Sequence, residues 1–129
     1  MLKDEIVSIL KNESANKNVL IVCRHACVIR WLQSKGIAGR ILPVARTCDV
    51  SGKVIIGCNL PIHLVSFAKY AVMIYIKNDS GKPFEELSPE DMDQQFMQVQ
   101  VYHIDRQKID LNDENIVNKI NNGEFIEYE

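Results

Sequence analysis

The stretch Val19-Leu20-Ile21-Val22-Cys23-Arg24-His25 decides how the rest of the chain is read. Five apolar residues, most of them branched, stand together without polar alternation, the pattern of a strand covered on both faces in a parallel sheet. The polar pair Arg24-His25 ends it. Directly afterwards Val28, Ile29, Trp31 and Leu32 fall on one helical stripe within residues 26–35, and Gly36 follows as a stop signal. Strand, polar turn and helix in that order predict the opening of an α/β unit.

Toward the amino end, Leu2, Ile6, Ile9 and Leu10 have helical spacing and the polar run Asn12 to Asn18 closes the element, so residues 1–18 read as an appended amphipathic helix. Downstream, residues 40–45 (RILPVA) read as a second strand, held to a sheet edge by Pro43. Ser51-Gly52-Lys53 is a turn before a third strand, Val54 to Gly57. The eight residues Arg46 to Lys53 are too few for a crossover helix, which leaves the second strand either antiparallel to the third or joined to it by an extended return. Pro61 suits a first helical position, with Asn59 or Leu60 at the cap and Ile62, Val65 and Phe67 facing inward.

Ala71 to Ile76 is another buried-type strand, ended by the turn Lys77 to Gly81. Ser88-Pro89-Glu90-Asp91 opens a capped helix from which Met92, Phe96 and Met97 are expected to pack inward. Val99 to Ile104 is the last expected strand, and residues 105–129 form an acidic tail with a short helix over Asp113 to Ile120. The whole chain, 1–129, is thus expected to be a single domain: a small three-layer α/β sandwich with a mostly parallel sheet, whose ligands lie beyond the carboxyl ends of its strands.

Composition narrows the function. A chain with 47% hydrophobic and 25% charged residues is too apolar for disorder. Residues 1–60 hold nine Lys/Arg against four acids and residues 61–129 hold six against thirteen, so the net charge of −2 conceals a basic half and an acidic half. That balance, with 7% aromatics, argues against binding long nucleic acid and leaves room for a small anionic ligand. Apolar runs of strand length and an acidic Asp4-Glu5 start lead us to expect no membrane association, no secretion and a cytoplasmic location, with Cys23, Cys27, Cys48 and Cys58 reduced.

Three turns follow strands and can carry chemistry: Arg24-His25, Asn59-Leu60-Pro61 with His63, and Asn78-Asp79-Ser80. Arg24 and the free backbone N–H groups at the starts of two helices, one opening at Ala26-Cys27 and the other after Asn59-Leu60, form a natural anion site, and a phosphate ester is the fitting guest. His25 and His63 are the candidate acids and bases; the plainer reading makes them a cap and a surface residue. His103 and Trp31 read as structural. Cys23 and Cys27 straddle a strand–helix junction and no C-x-x-C occurs, so no metal site is expected. Cys23 stands seven residues before Arg30, not the six of a phosphatase loop, and neither G-x-G-x-x-G nor a P-loop is present, so no cofactor is implied. Residues 20–26 also resemble the strand running into R-H-G of histidine phosphatases, a minor alternative because those enzymes need a further basic cluster and a second histidine well downstream on a larger fold, for which 129 residues leave little room.

A wider resemblance spans residues 19–104. Arg24-His25, Trp31-Leu32, Gly52 to Gly57, Leu60 to Leu64, Ala71 to Ile76 and Glu86 to Met92, in that order, resemble the Csx-sixteen ring nucleases associated with type III CRISPR systems. Two departures stand out: Ala26-Cys27 where that family carries Pro-Gly, and the longer turn Gly57 to Pro61 where it carries G-T-L-P. The resemblance implies a minimal Rossmann-like, CARF-like domain, acting as a homodimer, that binds cyclic tetra-adenylate and cleaves it without metal through attack by the 2′-hydroxyl. It implies roles for Arg24, His25 and His63 in that chemistry. A receptor or sponge that binds the ring without cutting it is the alternative.

Overall fold

The computed structural model describes residues 3–105 and 111–124. The expected first strand is β1 (Val19–Ile21), and its three residues are buried. Next comes α2 (Ala26–Ser34), preceded in the chain by α1 (Lys3–Ala15). Helix α2 buries Cys27, Val28, Trp31 and Leu32 on one stripe, and it stops where Gly36 adopts φ +77°, a left-handed conformation that a side chain would resist. The amide of Ile37 then closes back on the Leu32 carbonyl at 3.0 Å.

The sheet holds five strands in the order β2-β1-β3-β4-β5, with β2 (Arg40–Ile41), β3 (Val54–Gly57), β4 (Tyr70–Lys77) and β5 (Phe96–Tyr102). The first four run parallel, and β5 pairs antiparallel with β4. This settles the open direction of the second strand: β2 lies parallel to β1, on the far side from β3. The connection expected to be too short for a crossover helix contains a single turn of one, α3 (Thr47–Val50), whose buried Val50 closes the crossing. Four residues carry too little periodicity to be recognised in sequence.

Two apolar clusters lie on opposite faces of the sheet. Ile6, Leu10, Val28, Trp31, Leu32, Leu87 and Met92 cover alternate residues of β1, β3 and β4 on one face. On the other, Val50 of α3 and Leu64 and Val65 of α4 (Ile62–Val65) cover Leu20, Ile55 and Ala71. The chain is therefore an α/β protein with a five-stranded, mostly parallel sheet between helices, compatible with a Rossmann-like fold. Helix α1, expected as an appendage, is part of this core, since Ile6 and Leu10 are each 2% exposed.

Other expectations shift locally. Pro61 is the cap rather than the first helical residue of α4, so Ile62 turns outward and is 75% exposed. Helix α5 (Pro89–Gln94) has the expected Ser88 cap: the Ser88 hydroxyl accepts from the Asp91 amide and the Asp91 carboxylate accepts from the Ser88 amide. It ends before Phe96 and Met97, which belong to β5 instead. Helix α6 (Glu114–Asn121), capped by Asp113, matches the helix expected in the tail; residues 106–110 and 125–129 of that tail lie outside the described residues. Among the described residues no helix is long and apolar enough to cross a membrane.

Candidate functional site

The chain leaves β1 toward β2 through α2 on one face, and leaves β3 toward β4 through α4 on the other. At such a reversal the loops after two neighbouring strands diverge and leave a crevice between them. A cleft of about 400 Å³ occupies this position, lined by Val22 to His25 after β1, Pro43 to Ala45 after β2, and Cys58, Asn59, Pro61, His63 and Leu64 after β3. Gly57 permits the close approach of its two principal walls: a Cβ there would stand 2.4 Å from the Val22 carbonyl oxygen.

Of the residues singled out in the sequence, Arg24, His25, Asn59, Pro61 and His63 are brought together on this rim. The Arg24 and His63 side chains are exposed and make no hydrogen bond or ion pair with other described residues, so a cationic group stands ready for an anion. The His25 side chain, at the cap of α2, accepts from none of the first helical amides.

The remaining candidates are placed elsewhere. The Cys27 side chain is fully buried and Leu60 is 4% exposed, both as core residues, while Ala26 is exposed outside the cleft lining. Asn78, Asp79 and Ser80 are absorbed by their own turn. The Asn78 side chain accepts from the Ser80 hydroxyl at 2.6 Å and donates to the Lys82 carbonyl at 2.7 Å. The Asp79 amide donates to the Gln95 side chain at 2.9 Å.

The segment after β4 nevertheless reaches His25, through residues that the sequence reading passed over. The imidazole Nδ1 of His25 pairs with the Glu85 carboxylate at 2.5 Å, and the Phe84 ring meets the imidazole edge-on with centroids 5.1 Å apart. Arg30 on α2 anchors this 3₁₀ turn (Phe84–Glu86) by donating to the Glu85 carbonyl at 3.2 Å. A carboxylate can only accept, so a hydrogen sits on Nδ1, and whenever the ring is neutral its lone pair is on Nε2. The one hint in the sequence is an acidic pair, Glu85-Glu86, directly upstream of the Ser88-Pro89 cap.

A pair of thiols forms the floor. Cys23 is 5% exposed, its sulfur accepts from the His25 amide at 3.4 Å, and Cys58 lines the cleft with it. The Cys58 hydrogen bond first, with the His25 amide and imidazole, outweighs burial and holds the Cys23 thiol well below its ordinary value, at about 6. Cys58 is pushed upward, because ionising it would set a second negative charge beside Cys23 in a desolvated place. Cys27 is also raised, by burial.

Among the described residues no cluster of His, Cys, Asp or Glu is suited to hold a metal ion. The arrangement can bind an anionic group at Arg24 and move a proton at His25 with Glu85 behind it. Comparison with protein-family models, with curated proteins and with solved structures finds no match to this chain.

Proposed function

We propose that this chain is a metal-independent ring nuclease of CARF-like architecture, which binds cyclic tetra-adenylate and opens it to linear products, ending type III CRISPR signalling. The observation that carries the reading is the gathering of Arg24, His25, Asn59 and His63 on one cleft rim at the β1/β3 reversal. In this reaction the ribose 2′-hydroxyl attacks the neighbouring phosphorus in line, the bond to the departing 5′-oxygen breaks, and a 2′,3′-cyclic phosphate remains. Arg24 stabilises charge on the phosphoryl oxygens. His25, with Nδ1 held by Glu85, takes the 2′-hydroxyl proton at Nε2, and His63 across the cleft returns one to the leaving oxygen.

A cleft of about 400 Å³ is small for a ring of four nucleotides. The proposal therefore includes a homodimer, in which a two-fold axis presents the same rim twice to a ligand that repeats itself. The deciding experiment incubates the purified protein with labelled cyclic tetra-adenylate in the presence of a chelator. Linear products ending in a 2′,3′-cyclic phosphate support the nuclease. Intact ring recovered on the protein makes it a receptor, and absence of both binding and cleavage overturns the reading.

A further inference from the structure

The two cysteines at the floor of the cleft have no part in the cleavage chemistry, and their placement has its own logic. The parallel register Leu20↔Ile55 and Ile21↔Ile56 is closed by the Val22 amide donating to the Ile56 carbonyl at 2.8 Å, and the two segments stay side by side beyond it, since a Cβ on Gly57 would stand 2.4 Å from the Val22 carbonyl oxygen. Val22 thus stands beside Gly57, and the next residue of each segment is a cysteine, Cys23 in one and Cys58 in the other. Neighbouring strands lie about 4.8 Å apart, within the Cα separations that a disulfide spans. Both side chains belong to the same face, packed in or against the same apolar cluster. Both also line the cleft, which gives a small oxidant a route to them.

We propose that Cys23 and Cys58 are a reversible dithiol–disulfide site, with Cys23 the attacking sulfur, Cys58 the resolving one and a hydroperoxide the oxidant. In the first step the Cys23 thiolate attacks a peroxide oxygen, the O–O bond breaks, and the departing hydroxide leaves as water after protonation, giving a sulfenic acid. In the second the Cys58 sulfur attacks the Cys23 sulfur, the S–S bond forms, and the sulfenic oxygen departs as water with the Cys58 proton. Two thiols supply the two electrons that reduce one peroxide to two waters, and an external dithiol reverses the change. The order of events follows from the His25 amide, which donates to the Cys23 sulfur at 3.4 Å and so favours a thiolate there. The bridge fastens the turn bearing Arg24 and His25 to the turn bearing Asn59 and Pro61. The site stands independently of the nucleotide reading.

The test treats the full-length protein at neutral pH with stoichiometric hydrogen peroxide, blocks remaining thiols by alkylation and measures intact mass and peptide maps. Loss of two hydrogens per chain, with Cys23 linked to Cys58 and recovery on treatment with dithiothreitol, is the expected result. Linkage through Cys27 or Cys48, a disulfide between chains, or Cys23 and Cys58 both remaining alkylatable overturns it. In Cys58→Ser, Cys23 is expected to accumulate as a sulfenic acid trapped by dimedone. Oxidation of Cys48 in that variant while Cys23 stays reduced also overturns the proposal.

Discussion

The imidazole of His25 and the carboxylate of Glu85 meet at 2.5 Å although 60 residues separate them in the chain. Their contact joins the end of β1 to the turn that follows β4. Both side chains are about half exposed, 46% and 55%, so water screens the attraction and orientation is the larger part of its effect. Glu85→Ala is expected to slow ring cleavage by about ten-fold, the low end for a hydrogen bond to a charged partner, with binding little altered. Glu85→Gln, which retains an acceptor, restores part of the rate. Nitrogen NMR of the His25 ring checks the cause, since loss of the fixed Nδ1–H tautomer accompanies the alanine change.

Arg24→Ala and His25→Ala separate binding from turnover. Without the Arg24 guanidinium, affinity for cyclic tetra-adenylate and cleavage fall together. Without His25, cleavage falls by on the order of 10²–10⁴ while binding is largely retained. Titration calorimetry beside single-turnover rates reads both quantities, and wild-type rates in both variants would move the site elsewhere.

The Cys23 thiol ionises at about 6 in the folded protein against an ordinary value of 9.0. The groups acting on it are Cys58, His25 and Glu85. Thiolate ultraviolet absorbance is expected to appear with a midpoint near 6 and to move upward in Cys58→Ala, which removes the largest cause. Between these two values the unfolded chain binds the proton that the folded chain has released. The contribution to stability is accordingly complete only above 9.0 and disappears as the pH falls through about 6. Above 9.0 the slope turns, because Cys58 resists an ionisation that the unfolded chain permits. Denaturant midpoints measured across this range check the sign.

At Gly57, a methyl group would stand 2.4 Å from the Val22 carbonyl oxygen and 2.7 Å from the Leu60 side chain. Backbone on one side leaves little room to relax. Gly57→Ala is expected to cost about 1–3 kcal/mol in urea unfolding and to weaken ligand binding by spreading the cleft walls.

Trp31 is 1% exposed and its indole N–H donates to Asp93 at 2.9 Å, tying α2 to α5. Trp31→Ala is expected to destabilise by about 3–5 kcal/mol, the range for emptying a large aromatic site. Asp93→Ala, which keeps the ring but strands its N–H, is expected to cost about 1–3 kcal/mol. Chemical denaturation of both variants gives the comparison.

What could be read in the sequence follows the range over which each feature is determined. The run Val19 to Cys23, the stripe ending at Gly36 and the Ser88-Pro89 cap are written in adjacent residues, and each matches an element of the fold. Thr47–Val50 and the outward turn of Ile62 were illegible, because one turn of helix has no period and a one-residue change of cap rotates everything after it. Within the cleft, Arg24, His25 and Asn59 were found because they lie in the turns that follow strands, and His63 because it stands in the short helix that one of those turns opens. Glu85 and Phe84 were missed because only the closed sheet brings them to His25, and the pairing of Cys23 with Cys58 needed a strand register that no spacing reveals.

That same long reach sets a schedule for synthesis. As the chain emerges, the residues that line the cleft, from Val22 to Leu64, are all made before the segment bearing Glu85, since β4 and the turn after it come later. A product terminated between residues 64 and 85 therefore contains every lining residue but lacks the carboxylate that holds the His25 ring, together with Leu87 and Met92 of the core. The imidazole acquires its fixed orientation only when most of the polypeptide has been translated.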